Sequence, residues 1–245
     1  MKLAAAQLSL TLGDLEENLQ KHLRYIDQAS TRGIDLLLFP EMSLTGYGRE
    51  EGSKLAVAPR DSILSPLQEK AQSAQMIIIV GAPIRLEEQL FIGSFIFLPS
   101  GETQVYTKQY LHDGEELYYA SSFSYDPLIA LEKERIKLAI CADIDHTEHP
   151  AQAKAQGASM YLPSIFFSKN GIEGGCQQLK SYARQHALPV LMSNYCGAHW
   201  GIEAGGHSSF WNAQGDLLGQ MGVEEEGLLI AEKGAENWKV NIISQ

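Results

Sequence analysis

The chain reads as an α/β protein whose helices and strands stack in layers, and three observations support that class. Strand, helix, strand units occur in two separate halves of the sequence. Their strands, such as IDLLLFPE and PVLMSNYCG, are near-continuous apolar runs, as in sheets covered on both faces. Between the halves, strands follow one another across short turns, which is the pattern of a meander within a layered sandwich.

In order, KLAAAQLSL is expected to be the first strand. A signal peptide would also start with a lysine and small residues, but Gln7 interrupts the apolar run and acidic residues follow at once. GDLEENLQKHLRYIDQASTRG has Leu15, Leu19, Leu23 and Ile26 at helical spacing, with Gly33 to close the helix. The strand IDLLLFPE ends on Glu41 and enters the glycine-bearing loop MSLTGYG. DSILSPLQEKAQSA is a second helix. MIIIVGAPIRL, QLFIGSFIFLPSG and TQVYTK form the meander, which stops at Lys108. The acidic, aromatic loop QYLHDGEELYYASSFS leads to the hairpin PLIALEKERIKLAICAD, turning through EKER, whose second strand delivers Cys141. The rhythm then resumes with helix EHPAQAKAQGA, strand SMYLPSIFF, helix GCQQLKSYARQHAL and strand PVLMSNYCG. HSSFWNAQGDLLGQMG is a strand pair around NAQGD, and EGLLIAEKG is expected as a closing edge. No internal repeat has a fixed period.

The chain has 245 residues, consistent with one domain spanning 1–245 and able to bury roughly 70 to 75% of its unfolded surface. A formal net charge of −11 argues against nucleic acid and against an anionic membrane surface as partners. Three cysteines, Cys141, Cys176 and Cys196, have neither disulfide nor zinc-knuckle spacing, so a reducing compartment is expected. No apolar stretch reaches the ~18 to 20 residues of a membrane span, and the expected location is the cytoplasm.

Three polar residues stand at the ends of buried strands: Glu41, Lys108 and Cys141. A thiol with a pKa near ~8.5 is mostly protonated at neutral pH, so it needs a base beside it or a positive charge near it. Glu41 suits the first role and Lys108 the second, stabilising a thiolate and later an oxyanion. His146 and His149 are the histidines nearest to Cys141 in the sequence, although such partners normally come from distant segments.

The segments LLLFPEMSLTGY, VYTKQYL and KLAICADIDHTEHP resemble, in order, the signature segments of the nitrilase superfamily, the carbon-nitrogen hydrolases. AAAQLSLTLGDLEENL, SYARQHALPVLMSN and GGHSSFWNAQGDLL resemble further family segments, so the likeness covers nearly the whole chain. It implies a four-layer α-β-β-α sandwich, with Glu41 as general base, Lys108 stabilising the tetrahedral intermediate and Cys141 as nucleophile. A second glutamate of the family corresponds to Glu115 or Glu116, and counting back from Tyr118 and Tyr119 favours Glu115. The implied reaction hydrolyses a small-molecule amide or nitrile through a thioester, without a metal or organic cofactor, in a homodimer or larger homo-oligomer.

After the nucleophile the chain reads Ala142, Asp143, Ile144, Asp145, His146 and Thr147; Asp143 keeps the family's acidic position, but the bulky residues expected to wall the substrate pocket are replaced by small and polar ones. Substrate contacts are therefore expected from Ala142, Asp143, Asp145 and His146, together with Tyr47 and Asn194. Cys196 could line the same pocket, and His199, Trp200 and His207 could form a lid, a pocket wall or an ordinary surface loop. Two other readings compete with an enzyme: a non-catalytic binding member of the same fold, and a metal site in the DIDHTEH cluster, whose spacing matches no standard ligand pattern.

Overall fold

The structure, a computed structural model, describes residues 1–235 and 237–244, apart from the side chain of His199. Its first half contains β1 (Lys2–Gln7), α1 (Leu15–Ser30), β2 (Leu36–Leu38), α2 (Gly52–Leu55), α3 (Ser65–Ala74) and β3 (Ile77–Leu86). The meander continues through β4 (Gln89–Phe97) and β5 (Thr103–Thr107). The second half contains β6 (Ile129–Leu131), β7 (Glu134–Ile140), α4 (Glu148–Ala155), β8 (Met160–Ser164), α5 (Ile172–His186) and β9 (Val190–Met192). A short ribbon, β10 (Ala198–His199) and β11 (Ile202–Glu203), precedes β12 (Ser209–Trp211), β13 (Leu217–Gln220), β14 (Gly227–Lys233) and β15 (Trp238–Ser244).

These strands form a seven-stranded sheet, ordered β15-β14-β1-β2-β3-β4-β5, and a six-stranded sheet, ordered β13-β12-β9-β8-β7-β6. The strands β1, β2 and β3 are parallel in the first sheet, as are β7, β8 and β9 in the second. Each parallel step crosses over through a helix, as the strand-helix-strand rhythm requires. Alternate residues explain the apolar runs. Leu36 and Leu38 face the core between the sheets, while Leu37 packs outward with Leu19 and Ile26 of α1 and Leu67 of α3. Leu179 and Ala183 of α5 and Ala153 of α4 pack with the second sheet. The result is four layers, helix, sheet, sheet, helix.

The structure differs from the sequence expectation in three places. The buried stripe of α1 runs through Asn18, Leu19, His22, Tyr25, Ile26 and Ala29, while Leu15 and Leu23 are only partly buried. β9 is shorter than expected, ending at Met192; Ser193 directly after it still bridges to Ser164 of β8 and donates its hydroxyl to Ala6 O in the other sheet at 2.6 Å. β14 is not an edge: β1 pairs with one side and β15 with the other. The edge is β15, whose half-buried and exposed residues, Lys239 and Asn241 among them, lack the apolar run that marks the interior strands. Among the described residues no helix is long and apolar enough to cross a membrane.

The loop after β2 is fixed from behind. His22 of α1, buried and pushed down to about 4 by loss of water, places Nε2 2.9 Å from Ser43 Oγ. The backbone N–H of Leu44 donates to Gly81 O of β3 at 2.9 Å. This approach is so close that a Cβ on Gly81 would stand 2.4 Å from Met42 N and 2.6 Å from Pro40 O. Neither contact can be relieved by a side-chain rotation. Gly81→Ala should therefore cost about 1 to 3 kcal/mol, measured as a lower urea midpoint at unchanged m-value. An unaltered midpoint would show that the loop yields freely.

Candidate active site

Each polar residue expected at a strand end sits where the topology brings the two sheets together. Glu41 lies three residues beyond β2, Lys108 directly after β5, and Cys141 directly after β7. Cys141 opens a single 3-10 turn over Cys141–Asp145 and adopts φ 41°, a left-handed conformation that side chains other than glycine rarely take. Met42, next to Glu41, has φ 51°.

Lys108 Nζ lies 2.9 Å from Glu41 Oε1 and 2.8 Å from Glu115 Oε2, and all three side chains are fully shielded from solvent. Tyr47 donates its hydroxyl to Glu115 Oε1 at 2.8 Å, and the His112 backbone N–H donates to Glu115 Oε2 at 2.8 Å. Glu116 is exposed, so Glu115 is the glutamate that joins the site.

Burial pushes Glu41 up to about 7 against the pull of Lys108, with Glu115 adding to the rise. For Glu115 burial acts in the same direction, but Lys108, the His112 N–H and the Tyr47 hydroxyl outweigh it and hold the carboxyl below its ordinary value. Burial alone would lower Lys108; Glu41, Cys141 and Glu115 reverse this and keep it charged. Cys141 is raised well above an ordinary thiol, first by burial and then by the Glu41 charge. The resting sulfur is therefore a protonated thiol beside a carboxylate of raised proton affinity. Glu41 Oε2 is buried and accepts no hydrogen bond from the described residues.

Above the thiol opens a cavity of about 570 Å³, within the usual range for small-molecule sites. Of the residues expected to contact substrate, Tyr47, Ala142, Asp145 and His146 line it. Asp143 and Asn194, also expected to contact substrate, lie outside this lining. Asp143 points into the protein, where Oδ1 accepts the N–H groups of Gln109 and Tyr110 at 2.9 Å each. Its Oδ2 accepts the Ile140 N–H at 2.8 Å and the Tyr106 hydroxyl at 2.6 Å. One carboxylate thus ties the turn that presents Cys141 to the loop that follows Lys108. Asn194 holds Phe167 instead, accepting its N–H at 2.9 Å and donating to its carbonyl at 3.3 Å, and so sets part of the cavity wall.

The DIDHTEH residues diverge. Asp145 and His146 reach the cavity, whereas His149 is buried between Tyr106 and Tyr161 at 2.9 and 2.8 Å. Among the described residues no group of three or more His, Cys, Asp or Glu is arranged to hold a metal ion. Cys196 is buried outside the cavity lining, and Cys176 and His207 line a separate cavity near α5. Trp200 is a wall residue, with its ring 5.5 Å from that of Tyr47.

Arg49 and His112 are among the cavity residues that the strand-end reasoning does not reach. Arg49 donates from Nε to the Tyr47 hydroxyl at 3.1 Å and lies 5.0 Å over the Trp200 ring. His112 brings Nε2 to 3.1 Å from Cys141 Sγ. The signal for His112 was its position between Lys108 and Glu115: a loop that returns both residues to one ion cluster must carry the residues between them along.

The profile of the carbon-nitrogen hydrolase family matches residues 2–239. The chain is 25% identical to 2-oxoglutaramate amidase from Bacillus subtilis (strain 168), over 94% of this chain and 89% of that one. It is 26% identical to deaminated glutathione amidase from Synechocystis sp. (strain PCC 6803 / GT-S), over 97% and 93%. Against the glutamine-dependent NAD(+) synthetase of Thermotoga maritima it is 22% identical over 99% of its own length but spans only 44% of that protein. The fold is that of the Nesterenkonia sp. AN1 amidase, at a TM-score of 0.85 and 24% identity, covering 96% of this chain and 93% of that one. With a profile match from the second residue into the last strand, the chain belongs to the carbon-nitrogen hydrolase family.

Proposed function

We propose that this chain hydrolyses a non-peptide carbon-nitrogen bond in a small amide, through a thioester on Cys141, and releases ammonia or an amine. The observation that carries this reading is a lysine buried between two carboxylates beside a buried thiol at the floor of a cavity. The names of the relatives, 2-oxoglutaramate amidase and deaminated glutathione amidase, support small amides as the substrate class.

Glu41 takes the thiol proton as sulfur bonds to the amide carbon. A raised proton affinity suits this task, because a base near the working pH is ionised often enough to accept the proton and can still return it. Negative charge then develops on the amide oxygen, where Lys108 and the Ala142 N–H stabilise it. Lys108 can do so without reorganising, since both its carboxylate partners already hold it in place. Collapse of the intermediate breaks the carbon-nitrogen bond, and Glu41 returns its proton to the departing nitrogen. Glu115 keeps its charge throughout and acts through Lys108 as a positioning residue.

Ammonia release should be measured over small aliphatic amides, ω-amides of dicarboxylic acids, carbamoyl amines and nitriles. At least one class should be turned over by the wild type and none by Cys141→Ala, with Glu41→Gln lower by roughly 10² to 10⁴-fold. No release from any class would remove the proposal.

The pH dependence follows from Glu41. It works as the carboxylate and its pKa lies at about 7, so kcat/KM for acylation should fall about tenfold per pH unit below that value. A profile flat down to pH 5 would assign the thiol proton to another group. Iodoacetamide labelling followed by peptide mass mapping gives a third check. Cys141 should react ahead of Cys176 and Cys196, because Glu41 stands beside its thiol to take the proton as sulfur attacks, while burial raises both other thiols. Glu41→Gln should remove that preference, and equal, sluggish labelling of all three thiols would favour a non-catalytic binding protein.

A further inference from the structure

Cys141 is flanked by two bases. Glu41 lies beneath it with no exposure, held by Lys108. The second is His112, whose Nε2 lies 3.1 Å from Sγ and whose side chain, 38% exposed, lines the cavity. Its other ring nitrogen, Nδ1, is 3.9 Å from Asp145 Oδ2. The backbone of His112 is not free to drift, because its N–H donates to the buried Glu115. The imidazole therefore stands between the sulfur it contacts and the cavity that it and Cys141 both line.

We propose, resting on the amidase reading, that His112 is a catalytic base for the second half of the reaction, the hydrolysis of the Cys141 thioester. After the amine has left, water enters from the mouth. His112 Nε2 accepts a proton from it as the water oxygen bonds to the acyl carbon. The carbon-sulfur bond breaks, its electron pair returns to sulfur, and the imidazolium passes its proton to the thiolate. One water is consumed, one carboxylic acid leaves, and thiol and neutral imidazole are restored. Glu41 then serves acylation, on the dry side, and His112 serves deacylation, on the wet side.

The charges facing His112 favour its neutral, proton-accepting form. Burial lowers its proton affinity most, Lys108 lowers it further, Glu115 and Asp145 raise it, and Arg49 lowers it, leaving the ring below the ordinary histidine value. Turnover limited by this base should fall as the pH drops through that lowered value.

The test uses p-nitrophenyl acetate, which can acetylate an activated thiol without amide recognition and so separates the two half-reactions. In the wild type a nitrophenolate burst should precede steady turnover. In His112→Ala and His112→Gln the burst should persist, acetyl-Cys141 should accumulate in the intact mass spectrum, and steady turnover should fall about 10²-fold. Added imidazole should restore turnover in the alanine variant, which leaves room for it, and both variants should lose the acidic limb of the turnover profile. These last two readouts would not move if His112 only packed against the loop. Turnover close to wild type in both variants, or burst and turnover falling together with no response to imidazole, would overturn the assignment to His112 while leaving the amidase reading intact. A wild type that never acetylates Cys141 would overturn the amidase reading, and this one with it.

Discussion

A lysine ammonium sealed from water sets the terms for the rest of the site. Withdrawing such an ion from water costs several kcal/mol even after relaxation, and the cost is met only if well-placed counter-charges surround it. Lys108 has two carboxylates within 2.9 Å. Two anions and one cation still leave an excess of negative charge in a dry place, and it must settle on one of them. Donor count decides which. Glu115 receives Lys108 on both oxygens, a tyrosine hydroxyl and a backbone N–H, whereas Glu41 receives Lys108 on one oxygen. Glu115 remains the anion and Glu41 becomes the group that binds and releases a proton. The difference between two chemically identical side chains is made entirely by their neighbours.

The same economy of donors explains how the sulfur is held. A left-handed backbone at a residue with a side chain costs on the order of 1 to 3 kcal/mol and persists only where surrounding contacts enforce it. At Cys141 the enforcing contact is Asp143, whose two oxygens collect one N–H from the strand before the nucleophile and two from the loop after Lys108. The acidic residue two places after the cysteine thus serves the site by tying its two strands' ends together, without meeting the substrate cavity.

Much of this was legible in the sequence because it depends on periodicity and on strand ends. Apolar runs such as LLLF and IIIV mark the strands buried on both faces, and the residues at their ends had to meet where two sheets pack. What the sequence concealed depends on direction. Asp143, Asp145, His146 and His149 are neighbours in the chain but point to the core or to the cavity according to the turn they occupy. β15 carries too many polar residues to stand out from a loop. His112 is concealed by direction as well: its place in the loop between Lys108 and Glu115 does not say which way its ring turns, and the fold alone brings Nε2 to 3.1 Å from Cys141 Sγ.

Lys108, His112 and Glu115 all lie within a run of eight consecutive residues, while Glu41 and Cys141 come from separate strands. The cation, the anion that steadies it and the imidazole at the mouth are therefore inherited together. A single short stretch of sequence carries them, while Glu41 and Tyr47 reach in from outside it to complete the ion cluster. The acceptor Asp143 is the socket into which that loop fits, since it takes the N–H groups of Gln109 and Tyr110, so the nucleophile's own turn sets where the cation, its anion and the imidazole can stand.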